Sequence, residues 1–332
     1  MSNPYRIELL PVDSQVLRDN RAGDPSRREL ALLVPPDVGP RTPLPVVWMM
    51  PSHGSSQGGF LAHDPWREGL PQRLGRLTET TAMPPIIAAL PDLFTRYGGS
   101  QSLDSAATGP YETHLWTELR PLLENHRPIS AHGICGHSSG GYAAIVQSLR
   151  HPDILSACAS HAGDMLFELS YQPDFPKAAA RIRQEGGLEK LMAAFESAPK
   201  KMDGRWLTAV NVIGMAACYS PDTASPLGLA LPFDLETCEL KSDVWSRWLA
   251  WDPVRMIEVP GAADALRSLR LLFIDAGNRD EWNLHWGARA FVRRLKAAGV
   301  PHLHEEFDDG HMGTAYRFDR SLPLLARALS GA

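Results

Sequence analysis

Short apolar runs recur along the chain with room for one helix between them. They are VVWMM at residues 46–50, PIIAAL at 85–90, GIC at 133–135, ACAS at 157–160 and LRLLFI at 269–274. Most lack the every-other-residue polarity of a strand with one wet face, so they read as strands buried on both faces. Helix-like patterns fill the gaps at 111–123, 141–149 and 286–298. This alternation confines the chain to the α/β class, with a mostly parallel central sheet and helices on both faces. Ahead of it, strand-like runs at 5–10 and 28–34 flank the turn-rich NRAGDP at 20–25, the pattern of an antiparallel pair at a sheet edge.

One interval breaks the rhythm. Roughly a hundred residues separate the run near Ser160 from the one near Leu271, where a crossover needs only about a dozen. An insertion is the economical reading. Helical patterns at 188–195 and 244–251, broken by Pro221, Pro226 and Pro232, predict a mostly helical cap over 165–260. Residues 1–164 and 261–332 then form the two parts of one core.

Composition excludes several function classes. The chain has 332 residues, 33 Lys+Arg against 38 Asp+Glu, and no basic run, so it carries no electrostatic footprint for nucleic acid or an anionic membrane. No apolar run is long enough for a signal sequence at the N-terminus or for a membrane span, which makes a cytoplasmic protein the expectation. Cys135, Cys158, Cys218 and Cys238 are widely spaced without a CxxC pair and read as buried thiols. His302 and His304 share a strand face, yet no third metal ligand accompanies them. No phosphate-cradling or dinucleotide fingerprint appears, so no cofactor is expected. The expected partner is a small molecule, and a homo-oligomer is compatible with the composition.

The chemistry concentrates in Gly136-His-Ser-Ser-Gly140, which fits G-x-S-x-G with Ser138 at the centre. A strand-like run precedes it and an alanine-rich helical run follows, the context of a sharp turn that lifts a serine hydroxyl clear of a sheet. Ser139 has His137 two residues before it instead of glycine. It is expected to offer its backbone N–H to an oxyanion. A serine needs a base and a group to orient that base, in the order serine, acid, histidine. The acid expected is Asp280, on the loop after the 269–274 run, with Glu281 in reserve and Asp275 tying down the loop. The base expected is His311, in a glycine turn after a strand-like run at 301–307. His137, adjacent to the serine, reads as a packing or pocket residue. The loop Ser52-His-Gly-Ser-Ser-Gln-Gly-Gly59 follows the 46–50 run and is expected to aim a second oxyanion donor, Ser55 first and Ser56 next. Tyr97 and Trp245 are candidate pocket residues, although helical spacing also suits Trp245 to a core.

With these residues the chain resembles the esterase D and enterochelin-esterase-like group of α/β-hydrolases. The resemblance runs from about residue 20 to the end, and its most specific parts are GHSSGG at 136–141, FIDAGNRDE at 273–281 and FDDGH at 307–311. It implies an α/β-hydrolase fold, with Ser138, Asp280 and His311 as nucleophile, acid and base. A glycine loop forming the oxyanion hole is implied at 52–59, where Ser55 stands in place of the apolar residue often found there. No extra N-terminal domain like that of enterochelin hydrolases precedes these motifs, so a siderophore substrate is not expected. The function expected is a serine carboxylic-ester hydrolase working through an acyl-enzyme, less active below about pH 6 to 7 as an imidazole base protonates. A thioesterase, acyltransferase or peptidase would use the same triad. Readings of another class are a non-catalytic binding protein on a hydrolase fold and a metal-dependent hydrolase.

Overall fold

The computed structural model describes residues 4–201 and 203–331. The strands of its main sheet are β1 (Arg6–Asp13), β2 (Arg27–Val34), β3 (Leu44–Met50), β4 (Ile87–Pro91), β5 (Ile129–His137), β6 (Leu155–His161), β7 (Leu271–Gly277) and β8 (Leu303–Phe307), and a separate two-residue pair joins Asp104–Ser105 to Gly109–Pro110. The main sheet is eight-stranded, in the order β1-β2-β4-β3-β5-β6-β7-β8. The pairings β1–β2 and β2–β4 are antiparallel, and every pairing from β4 to β8 is parallel. The expected edge hairpin and parallel α/β core are both present.

Helices of eight or more residues are α1 (Leu70–Glu79), α2 (Ser139–Arg150), α3 (Phe175–Glu185), α4 (Leu188–Ser197), α5 (Gly204–Tyr219), α6 (Ser242–Leu249), α7 (Leu284–Ala297) and α8 (Phe318–Ser330). The pleat divides β3 between the two faces of the sheet. Val46, Trp48 and Met50 join Leu115, Ala144, Phe291 and Leu295 on one side. Val47 and Met49 join Leu70, Leu74, Leu322 and Leu325 on the other. Both sets are sealed from solvent, and burying each such large apolar side chain favours the fold by about 1.5–3 kcal/mol.

A third apolar cluster gathers α3, α5 and α6 around Phe175, Ile182, Ile213, Trp245 and Trp248. Helices α4 and α6 match the helical patterns at 188–195 and 244–251. Helix α5 was not visible in sequence because it is apolar almost all round. Its residues from Val212 to Tyr219 are all buried, so no amphipathic stripe marks it.

Two histidines, His53 half-buried and His161 buried, fix how these parts meet. His53, on the loop after β3, wedges against Gly98 and Gly214, where an added Cβ would stand 2.6 and 2.8 Å from its ring. Burial pushes its pKa down to about 4. His161, at the end of β6, has Nδ1 2.6 Å from Asp275 Oδ1 and Nε2 2.7 Å from Ser321 Oγ. Arg317 Nε donates to the other oxygen of Asp275 at 2.8 Å. Asp275 therefore does not act on the loop after β7 as expected. Its side chain points sideways and joins β7 to β6 and to the start of α8.

Asp275 is fully buried, and truncating one member of a buried ion pair leaves its partner charge uncompensated. Asp275→Ala is expected to lower unfolding free energy by about 3–5 kcal/mol in urea titrations. A loss under about 1 kcal/mol, the range of exposed pairs, would contradict this role. His53 generates a pH dependence of stability. Its depressed pKa means that the unfolded chain binds a proton near the ordinary value of 6.5 while the folded chain does not. Its contribution is complete above that pH and is lost as pH falls toward about 4. The urea midpoint should fall between pH 7 and pH 5, and His53→Gln should flatten that slope.

Candidate active site

Strand β5 ends at His137 and helix α2 begins at Ser139. Ser138, between them, has φ 57° and ψ −127°, a backbone state that costs a non-glycine residue about 1–3 kcal/mol. Hydrogen bonds on both sides hold it there. Ser138 N–H donates to the His161 carbonyl at 2.9 Å, and Tyr142 N–H donates to the Ser138 carbonyl at 2.9 Å. The flanking glycines are sterically required. A Cβ on Gly136 would overlap the backbone of Gly140, and one on Gly140 would overlap the Met50 carbonyl oxygen.

The parallel register brings the carboxyl ends of neighbouring strands level, with Met50 opposite Gly136, His137 opposite His161 and Phe307 opposite Gly277. The loops that follow leave on one edge of the sheet, where α/β ligand sites form. Asp280, after β7, is buried, and its Oδ1 accepts from the amides of Trp282 at 2.9 Å and Leu284 at 3.3 Å. Its Oδ2 lies 2.7 Å from His311 Nδ1. Glu281, the reserve acid, accepts from the His311 amide at 2.8 Å instead. The His311 ring is flanked by His137 at 4.4 Å and Trp282 at 4.7 Å between centroids. With Nδ1 taken by Asp280, His311 Nε2 makes no hydrogen bond among the described residues.

Ser138, Ser139, His137 and His311 all line one cavity of about 560 Å³, closed on other sides by Phe60, Asp164, Tyr171, Leu207, Asn211 and Trp282. Ser139 opens α2, and a first-turn amide has no carbonyl four residues back in the helix. Its N–H is therefore free for a ligand, while its Oγ donates to Asp164 Oδ2 at 3.0 Å. His137 Nε2–H donates to the His311 carbonyl at 3.1 Å. Burial, with His311 and His161 nearby, pushes its pKa down to about 3, so it stays neutral against the His311 ring.

Three candidates are placed otherwise than expected. The Ser55 amide donates to the Ser52 carbonyl at 3.0 Å. That turn occupies the N–H expected to face an oxyanion, although Ser55 does line the cavity. Tyr97 is buried away from the cavity, with its hydroxyl donating to the Leu227 carbonyl at 3.3 Å. Trp245 packs edge-on to Phe175 at 5.4 Å inside the helical cluster, a core position. Other residues of the site were missed in sequence. Asp164 directly follows a buried strand end, the same signal that marked Asp280. Leu207, Thr208 and Asn211 carry no such signal, because α5 itself was not visible.

Among the described residues, no group of three His, Cys, Asp or Glu side chains could hold a metal ion. No helix among them is long and apolar enough to cross a membrane. All four cysteines are unpaired, three of them buried and Cys238 half-buried.

Solved structures share this architecture. A ferulic acid esterase superposes with a TM-score of 0.61 at 17% identity, over 98% of this chain and 100% of its own. An S-formylglutathione hydrolase from Agrobacterium tumefaciens gives 0.59 at 16% identity, over 97% and 95%. The fluorophosphonate-binding serine hydrolase FphF of Staphylococcus aureus gives 0.58 at 13% identity, over 98% and 99%. At these identities the likeness is one of fold. None of the curated proteins matches the chain. The family model for esterases, described as "Putative esterase", matches residues 104–323. That span is well over half of the chain and includes the stretches that carry Ser138, Asp280 and His311, so the α/β-hydrolase fold described above is that of a member of the esterase family, to which this chain belongs.

Proposed function

We propose that this esterase hydrolyses small-molecule carboxylic esters through an acyl-enzyme formed on Ser138. The observation that carries the reading is that Ser138, on its strained turn, and His311, with Nε2 unengaged, line the same cavity. In the first half-reaction Ser138 Oγ attacks the ester carbonyl carbon while His311 Nε2 takes the hydroxyl proton. Asp280 accepts from Nδ1–H, which fixes the tautomer with the basic nitrogen toward the serine and stabilises the imidazolium. The tetrahedral oxyanion accepts from Ser139 N–H at the positive end of α2. Collapse expels the alcohol, which receives the proton from His311. Water, deprotonated by the same nitrogen, then releases the acid and restores Ser138.

A second oxyanion donor from the Ser52–Gly59 loop would need the Ser52–Ser55 turn to open or a neighbouring amide to serve. Residues 165–260 act as the helical cap of this site, supported by Tyr171, Leu207 and Asn211 on the cavity wall. The four unpaired thiols suit a reducing compartment, and the cytoplasm is the proposed one. A thioester is the second substrate reading, supported by the likeness to an S-formylglutathione hydrolase.

A fluorophosphonate probe followed by peptide mapping should give a single adduct on Ser138, absent in Ser138→Ala. An adduct on another serine, or none on folded protein, would overturn the nucleophile. Asp280→Asn should lower kcat by about 10³–10⁴ with little change in urea midpoint. The expected result for Asp275→Ala is the reverse, a large loss of stability in a protein that keeps its reactive serine.

A further inference from the structure

The amide that the proposed mechanism asks of Ser139 has no partner within α2 to aim it. Ser139 is the first residue of that helix, and a first-turn N–H has no helix carbonyl to donate to, so a contact from outside the helix must steady it. The Ser139 side chain makes one. Its Oγ donates to Asp164 Oδ2 at 3.0 Å, and Asp164 stands on the turn that follows β6. That turn is built for close approach to α2. Ser160 Oγ donates to the Gly141 carbonyl at 2.9 Å, and a Cβ on Gly163 would stand 2.9 Å from the Tyr142 nitrogen. Between them Ala162 takes φ 43°, a state that persists only where the surroundings impose it.

Asp164 is itself held firmly. It is 5% exposed, and its Oδ2 also accepts from Tyr171 OH at 2.7 Å and Gln101 Nε2 at 3.5 Å. Gln101 Nε2 donates in turn to Tyr219 OH at 2.7 Å. Tyr171 and Tyr219 are buried in the apolar cluster of the helical region, each against Phe167, at 4.7 and 5.2 Å between centroids. A chain of contacts thus runs from that cluster through Asp164 to the residue beside the nucleophile. All three donors converge on Oδ2, while Oδ1 accepts from none of the described residues. No Lys or Arg pairs with Asp164 among them, and burial pushes its carboxyl above the ordinary value, opposed chiefly by the Tyr171 hydrogen bond. The arrangement uses one acceptor atom rather than a charge.

We infer that Asp164 is a positioning residue, which through Oδ2 ties the Ser139 hydroxyl to Tyr171 and so aims the Ser139 amide before a substrate arrives. This rests on the ester-hydrolase reading, in which that amide receives the oxyanion. Asp164 touches no reacting atom in this role. Its effect is felt where negative charge develops on the carbonyl oxygen, and much less in binding the uncharged ester.

The test combines kinetics on 4-nitrophenyl butyrate with inhibition by butylboronic acid, whose boron takes Ser138 Oγ to form a tetrahedral anion. Ser139→Ala keeps the amide and removes the tether. It should lower kcat by about tenfold to a hundredfold with KM within about twofold, the scale of a donor that has lost its aim. Butylboronic acid should weaken by a similar factor, while butyrate, which has a planar carboxylate, should inhibit as before. Asp164→Ala should act in the same way, and the double variant should be no worse than the poorer single, because both break one link. Asp164→Asn should stay within roughly threefold of the unmodified enzyme, since an amide oxygen in the place of Oδ2 can take all three hydrogen bonds. Ser139→Ala serves alone if Asp164→Ala does not fold. An unchanged kcat in Ser139→Ala, a fall confined to KM, or additive losses in the double variant would overturn the positioning role. So would an Asp164→Asn enzyme as impaired as Asp164→Ala, which would make charge and not aim the contribution. Fluorophosphonate labelling of Ser138 in the unmodified enzyme separates the two levels of the reading. With labelling and turnover present, those outcomes remove the role of Asp164 alone; with both absent, the ester-hydrolase reading falls and this one with it.

Discussion

Everything at this site depends on how closely β3, β5, β6 and α2 approach one another at Ser138. The Met50 carbonyl lies where a side chain on Gly140 would begin, and the His161 carbonyl holds the Ser138 amide at 2.9 Å. Neither contact involves a functional group, yet together they force the serine into a backbone state that it would not choose alone. The strain is carried by the sheet, whose central strands are sealed on both faces. Because Ser138 is fixed by backbone, the free amide of Ser139 and the histidine loop have a constant reference point.

Among the described residues, two histidine–aspartate pairs are built from adjacent strand ends, and their surroundings separate them. Asp275 and His161 are closed in by Arg317 and Ser321, so every polar atom of the pair is spent on structure. Asp280 and His311 share the same short contact, but the outer nitrogen of His311 has no partner among the described residues and its ring borders the cavity. Similar chemistry at a similar distance thus serves cohesion in one case and, in the proposed mechanism, proton transfer in the other. What differs is whether the second nitrogen finds a protein partner.

The parallel sheet and its edge hairpin were legible because strands sealed on both faces leave continuous apolar runs, and β3 shows one. Ser138 was legible because the turn around it admits only glycine at Gly136 and Gly140, which leaves a pattern in the letters. Strand β5 was longer than its apolar run, since its first half, Ile129–His132, is partly exposed and alternates apolar with polar residues, Ser130 and His132. That the Ser55 amide is engaged was not legible, because whether it is free depends on a turn to Ser52 that no composition rule dictates. Tyr97 and Trp245 were misplaced because aromatic residues mark a core and a pocket alike. Asp164 was within reach, since it follows a buried strand end as Asp280 does.

The helices that wall the cavity have their own apolar cluster, centred on Phe175, Ile213 and Trp248 and distinct from the two that clamp the sheet. Side chains such as Leu207, Thr208 and Asn211 are thus anchored from behind by contacts that leave Asp280 and His311 untouched. Variation in that layer can reshape what the cavity admits while the reactive turn keeps its geometry. The arrangement gives the chain a division between a conservative half and an adaptable one, and it would let closely related sequences part ways in substrate before they differ in chemistry.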